Sequence, residues 1–219
     1  MDFHFDLIMN IKWMKSDKSE YIDVHSEILP YSKVLQFFKT VEAEYDVLKY
    51  CNGFNEGGRF IFQIYNVEFV TELANIVNTI LHKSSKEKPF LEIMSGDGKL
   101  AEFLGPLLER PLITTDSRRD AYDIAYPKGV IQCEAIDAVI KFNPSLVLLS
   151  WEPRLSSTSR EIADMGVPLI WIGDPSHCGV GSGLMNVRRS RVGSQYALGR
   201  HDNFGSDKFH TDIYLFNCT

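Results

Sequence analysis

Apolar positions along the chain recur with two periods. Over 31–49, Val34, Leu35, Phe37, Phe38, Val41, Tyr45 and Leu48 fall at helical spacing behind Pro30, which suits a first helical turn. A second helix is predicted over 67–81, with Val70, Leu73, Ala74, Val77, Ile80 and Leu81 on one face. Before it, the turn-rich stretch 51–59 meets Phe60-Ile61-Phe62-Gln63-Ile64-Tyr65-Asn66. From residue 90 onward a strand-then-helix rhythm sets in. Apolar runs at 90–94, 111–115, 129–133, 145–150 and 167–173 predict five strands, and helical spacing follows at Leu100, Phe103, Leu104, Leu107 and Leu108 and again over 135–141. The run at 145–150 is continuously apolar, as in a parallel strand buried on both faces. Segments 194–198 and 209–216 read as a closing antiparallel pair, and alternation around Phe3, Phe5, Leu7, Ile8, Ile11 and Trp13 predicts a strand or two near the start. The pattern is that of an α/β sheet with an antiparallel edge. A polar stretch at 83–88 divides it into a mainly helical extension or cap, 1–85, and a core, 86–219.

Composition narrows the class. The 219 residues are 44% hydrophobic and 24% charged, the balance of a water-soluble globular chain. No apolar run reaches membrane-spanning length and no secretory signal pattern opens the chain, so a cytoplasmic or otherwise intracellular location is expected, without membrane association. Cys51, Cys133, Cys178 and Cys218 are scattered, which argues against a disulfide framework or a zinc motif, and no metal is expected. A net charge of −6 makes nucleic acid an unfavoured partner. The local cluster Arg188-Arg189-Ser190-Arg191 reads as a solvated loop or strand end before it reads as a phosphate patch. The glycine-rich stretch 51–59 lacks the Lys-Ser/Thr ending of a P-loop; a flap over the site and an ordinary connection both remain open for it.

Candidate chemistry concentrates in Leu91-Glu92-Ile93-Met94-Ser95-Gly96-Asp97-Gly98, where the first core strand runs through a glycine turn into a helix. Glycine at 96 and 98 lets the backbone approach a ligand closely, and the helix start offers free N–H groups. Gly96-Asp97-Gly98-Lys99-Leu100-Ala101 also fits the dinucleotide fingerprint, with Asp116 downstream as a ribose acid. Glu92 shifts the balance. A carboxylate at the end of a buried strand is costly unless satisfied; a cationic amino-acid end would satisfy it, whereas a pyrophosphate would be repelled.

This stretch resembles motif I of the class I S-adenosylmethionine (SAM)-dependent methyltransferases, with Ser95 standing in place of the usual first glycine. The resemblance, which covers roughly residue 60 to the end, implies a Rossmann-like, mostly parallel seven-stranded sheet with helices on both faces and a C-terminal antiparallel hairpin strand. It implies SAM as cofactor, with Glu92, Met94, Ser95, Gly96, Asp97 and Gly98 lining its methionine part. Asp116 would take the ribose hydroxyls, Ser117 and Arg118 would flank the adenosine, and Glu134 and Ala135 would meet the adenine, with Asp137 a competitor for that role. After the fourth core strand, Ser150-Trp151-Glu152-Pro153-Arg154 stands where the family holds the reacting end of its substrate, but it does not match the Asn/Asp-Pro-Pro-aromatic motif of DNA and glutamine methyltransferases. Ser150 and Trp151 are substrate-binding candidates, Trp151 by stacking or by cation–π attraction. Glu152, Asp174 and His177 are the acid–base candidates. His201-Asp202 and His210 with Asp212 are more readily surface or packing residues than metal ligands. The expected activity is methyl transfer to a small-molecule or protein acceptor. The alternatives are an NAD(P) oxidoreductase and an inactive methyltransferase-like interaction subunit.

Overall fold

The computed structural model describes residues 24–55, 57–119 and 126–218; the strands expected around residues 3–13 lie outside them. Helix α1 spans Tyr31–Glu44, α2 Val47–Cys51, and strand β1 Gln63–Ile64. Then come α3, Val67–His82, β2, Phe90–Ile93, and α4, Lys99–Leu104. Strands β3, Leu112–Asp116, and β4, Val130–Gln132, precede α5, Ala135–Phe142. Strand β5, Leu146–Ser150, leads to α6, Thr158–Asp164, and β6, Leu169–Gly173. The chain closes with β7, Arg189–Arg191, β8, Leu198–Gly199, and β9, Asp212–Phe216.

Seven of these strands form one sheet in the order β4-β3-β2-β5-β6-β9-β7. Strands β2 to β6 are mutually parallel, and β9 is antiparallel to both of its neighbours. This is the Rossmann-like architecture that the family resemblance implies, and it contains the α/β sheet with an antiparallel edge predicted by the residue pattern. Successive side chains of a strand point to opposite faces, and β5 shows it: Leu146 and Leu148 pack with Phe69, Leu73 and Val77 of α3, whereas Val147 and Leu149 pack with Ala138 and Val139 of α5 and Ile162 of α6. Both faces are covered, which is why the strand carries no polar alternation. The chain leaves β2 towards β3 and β4, then crosses back to β5. The gap between the carboxyl ends of β2 and β5 is therefore the topological switch point, where open α/β sheets hold their ligands.

A third core joins Val34, Phe38, Val41 and Tyr50 of the first two helices to Ile64, Leu198 and Phe204. Among the described residues no helix is long and apolar enough to cross a membrane.

Three local expectations change. The helix expected over 31–49 breaks at Tyr45, because the Asp46 carboxylate accepts from the Lys49 N–H at 2.9 Å and caps a new helix. Helix α4 stops at Leu104, where a single turn of 3-10 helix, Gly105–Leu107, carries Pro106, which has no N–H to continue the ladder. The short strand β1 pairs with β8 in a separate two-stranded sheet and is followed closely by Asn66, which caps α3. The closing strand expected over 194–198 lies instead at β7, inside the basic cluster. Ser194 Oγ accepts from the N–H groups of Tyr196 and Ala197, which curls that segment into a turn.

Candidate active site

A cavity of about 750 Å³ opens at the switch point, in the upper part of the range of small-molecule sites. Its floor is the turn after β2. Met94 and Gly96 both take left-handed backbone, at φ 53° and 56°. A Cβ on Gly96 would meet nothing within 4 Å, so the backbone here faces open space. Gly98 is required for a different reason: at φ 75°, a Cβ would stand 2.9 Å from Val130. Its N–H is taken by the Ser95 carbonyl, which closes the turn.

Three carboxyl groups reach this floor. Glu92 is 1% exposed, and its Oε2 has no hydrogen-bond partner among the described residues. Burial, helped by the charges of Asp97 and Asp116, pushes its pKa up to about 8. Asp97 goes the other way. Burial raises it, but the His25 hydrogen bond and charge and the Lys99 N–H outweigh that and hold it low; the His25 Nε2 to Asp97 distance is 2.7 Å. Asp116, at the end of β3, accepts from Gly96 N–H at 2.9 Å and from Arg118 N–H at 2.7 Å. Each carboxylate oxygen has two lone pairs, so capacity is left on the cavity side. Ser117 and Tyr126 continue this wall, and Arg118 lies 4.8 Å over the Tyr126 ring.

The opposite wall follows β5. Trp151 takes φ 58°, and its Nε1 donates to Gln63 at 2.8 Å, tying the loop to β1. Glu152 is buried, and its oxygens accept from the N–H and hydroxyl of Ser159 and from Trp171 Nε1. These donors anchor the loop to the start of α6. After β6, the buried Asp174 accepts from Ser176 N–H and pairs with His177 Nδ1 at 2.7 Å. Burial raises Asp174, but these hydrogen bonds outweigh it and hold its pKa below the ordinary carboxylate value. Because a carboxylate only accepts, Nδ1 carries the proton, and the neutral ring is left with a lone pair on Nε2. His177 lines the cavity and stacks on His201, with centroids 3.9 Å apart and planes 6° from parallel. Burial, then His177, Arg200 and Arg154, bring His201 down to about 4 against a pull from Asp174. Cys178 also reaches the cavity, but burial pushes its thiol up to about 12, which suppresses thiolate chemistry.

The structure thus brings Glu92, Met94, Ser95, Gly96, Asp97, Asp116, Ser117, Ser150, Trp151, Glu152 and His177 to one cavity, with Asp174 directly behind His177. It does not bring Glu134 or Ala135 there. Glu134 points outward to an ion pair with Arg119 at 2.8 Å, and Ala135 packs inside the core under α5. Gly98 stays behind the floor as a backbone hinge. Sequence reasoning missed His25, Arg59, Phe62, Gln63, Tyr65 and Arg200, and it placed His201 among surface or packing residues, yet all seven line the cavity. Nothing in their spacing links them; only the β1–β8 pairing and the third core carry them there.

No family model matches the chain, and no curated protein does. Among solved structures the chain is similar to a Streptococcus mutans protein assigned as a SAM-dependent methyltransferase, at 8% identity and a TM-score of 0.34, over 64% of this chain and 47% of that one. It is similar to the CMeT domain of the citrinin polyketide synthase, at 11% identity and a TM-score of 0.42, over 89% of this chain and 66% of that one. The plantazolicin methyltransferase BpumL in complex with SAH shares 14% identity at a TM-score of 0.32, over 81% and 72% of the two chains. The chain thus spans about half the length of the first of these and two thirds of the second. With TM-scores this low, none of them bears on activity. Sheet order and cavity together define a Rossmann-like α/β protein with a cavity at its switch point.

Proposed function

We propose that the chain is a SAM-dependent methyltransferase acting on a small-molecule or protein acceptor that must lose a proton. One observation carries the reading: the buried, unpartnered Glu92 carboxyl at the end of β2, beside the open backbone of Gly96. An ammonium group would satisfy that oxygen, and the glycine would admit a bulky neighbour without a clash. The residues present therefore fit SAM. Glu92 would hold its amino group, Asp116 its ribose hydroxyls, and Met94, Ser95, Gly96, Asp97 and Ser117 would shape the seat between them. When bound, SAM supplies an electrophilic methyl group on a positively charged sulfur. Three carboxyl groups on one floor argue against a pyrophosphate in the same place.

The chain's own contribution to the chemistry lies on the opposite wall. His177 Nε2 would take the proton of the acceptor nucleophile while Asp174 holds the ring and stabilises the imidazolium that forms. Trp151 would align the acceptor, and Glu152 would keep the loop that carries it in place. Residues 24–66 supply His25, Arg59, Phe62, Gln63 and Tyr65 to the cavity, in keeping with the 1–85 segment as a cap on the 86–219 core.

Calorimetric titration of the chain and of Glu92→Ala with SAM and with NADH tests the reading. SAM binding that weakens in the variant is expected. NADH binding in its place would support an oxidoreductase, and silence towards both an interaction subunit.

A further inference from the structure

The cavity is divided by charge. Its carboxyl groups, Glu92, Asp97 and Asp116, sit at the ends of β2 and β3, whereas Arg59, Arg154 and Arg200 enter from the 57–63 segment and from the loops after β5 and β8. The two carboxyl groups nearest the basic side, Glu152 and Asp174, are occupied by Ser159 and Trp171 and by Ser176 and His177. Arg200 is buried, lies 4.7 Å over the Phe62 ring and donates to Asn52. Together with Arg154 it is close enough to His201 to depress that imidazole. Neither Arg59 nor Arg154 forms an ion pair among the described residues, and the Nε of Arg59 is buried without a hydrogen-bond partner there. Beside these guanidiniums stand the flat apolar faces of Phe60, Phe62 and Trp151.

The buried Nε of Arg59 is costly until an acceptor faces it, Arg154 stands exposed at the same cavity, and the planar fork of a guanidinium matches carboxylate and phosphate oxygens. Aromatic faces select a planar apolar body. We propose that the methyl acceptor is a small aromatic acid, its carboxylate or phosphate held by Arg59 and Arg154 and its ring laid against Phe62 and Trp151. This rests on the carboxyl-lined half being the seat of SAM, which leaves the guanidinium half for the acceptor. An acid so held would present its ring substituents on the His177 side of the cavity.

The test uses the full chain saturated with S-adenosylhomocysteine and three probes followed by ligand-observed NMR: 2-naphthoate, 2-naphthyl phosphate and the neutral 2-naphthamide. At least one of the two acids should bind about tenfold more tightly than the amide, the factor expected from one good charged pair. Which acid wins distinguishes a carboxylate from a phosphate. In Arg59→Gln/Arg154→Gln the preference should vanish while the affinity for S-adenosylhomocysteine stays within about twofold. Equal binding of acids and amide, no binding of either acid, or a preference that survives the double substitution would overturn the proposal. The wild-type comparison stands even if the variant misfolds. An acid preference without S-adenosylhomocysteine binding would leave the anion site and remove the methyltransferase reading; the reverse result would remove the anion site alone.

Discussion

Among single residues, Glu92 carries the most information, because its burial opposes its charge. The folded chain holds its pKa at about 8, above the ordinary glutamate value of about 4.3. Between those values the folded state binds more protons than the unfolded one, so this residue lowers stability as pH rises from about 4.5 to about 8. Glu92→Gln should flatten that decline and gain roughly 2 kcal/mol near pH 8, or about 5 °C in Tm, in thermal melts without ligand. Its affinity for SAM should fall at least about thirtyfold, since an ammonium loses a buried partner. Binding of SAM to the wild type at pH 6.5 should release close to one proton from Glu92, read from calorimetry in buffers of different ionisation enthalpy. The two glycines of the turn should separate in the same experiments. Gly98→Ala meets Val130 at a positive φ and should cost about 1–3 kcal/mol of stability. Gly96→Ala meets no neighbouring atom and carries only the strain of φ 56°, about 1 kcal/mol, so it should lower Tm less than Gly98→Ala does while weakening SAM binding.

Among elements, the proposed chemistry rests on the loops after β5 and β6. The β5 loop is held by Glu152, and Glu152→Ala strands the Ser159 and Trp171 donors inside the protein. That should cost roughly 3 kcal/mol or more, visible as a drop in Tm that accompanies any loss of activity. The β6 loop carries Asp174 and His177, where an effect without unfolding is expected. Asp174→Asn keeps the shape but removes the charge and the preference for the Nδ1–H tautomer. With an acceptor in hand, kcat should fall about 10²-fold or more while SAM affinity is retained. Stopped-turnover assays beside SAM titrations check both halves of that statement.

For the whole molecule, the third core joins the first two helices to the segment around and after β8. Phe204 stacks on Phe38 at 5.1 Å and ties the first helix to the segment after β8, which carries Arg200 and His201 to the cavity. Phe204→Ala should cost about 3–5 kcal/mol. Because that core is separate from the two that flank the sheet, acceptor turnover should suffer before SAM binding does, as measured at a temperature where the variant remains folded.

The parallel strands, the two helix layers and the glycine turn were legible because each is local: a continuous apolar run in β5, helical spacing in α3, and an acid followed by a tight turn in Glu92 to Gly98. Asp116 was legible for the same reason, standing at the end of a strand whose bounds the apolar run marks. The β1–β8 pairing, the shift of the closing strand to Arg189–Arg191, and the stacking of His201 on His177 were not legible. The first depends on segments more than a hundred residues apart, the second on a hydroxyl turning a short strand aside, and the third on two loops that meet only in the folded chain; a period-2 pattern names a strand without naming its partner. The turn proposed to seat the cofactor is thus written along one stretch of chain. The wall proposed for the acceptor exists only once residues 57–66 and the C-terminal loops are folded against each other.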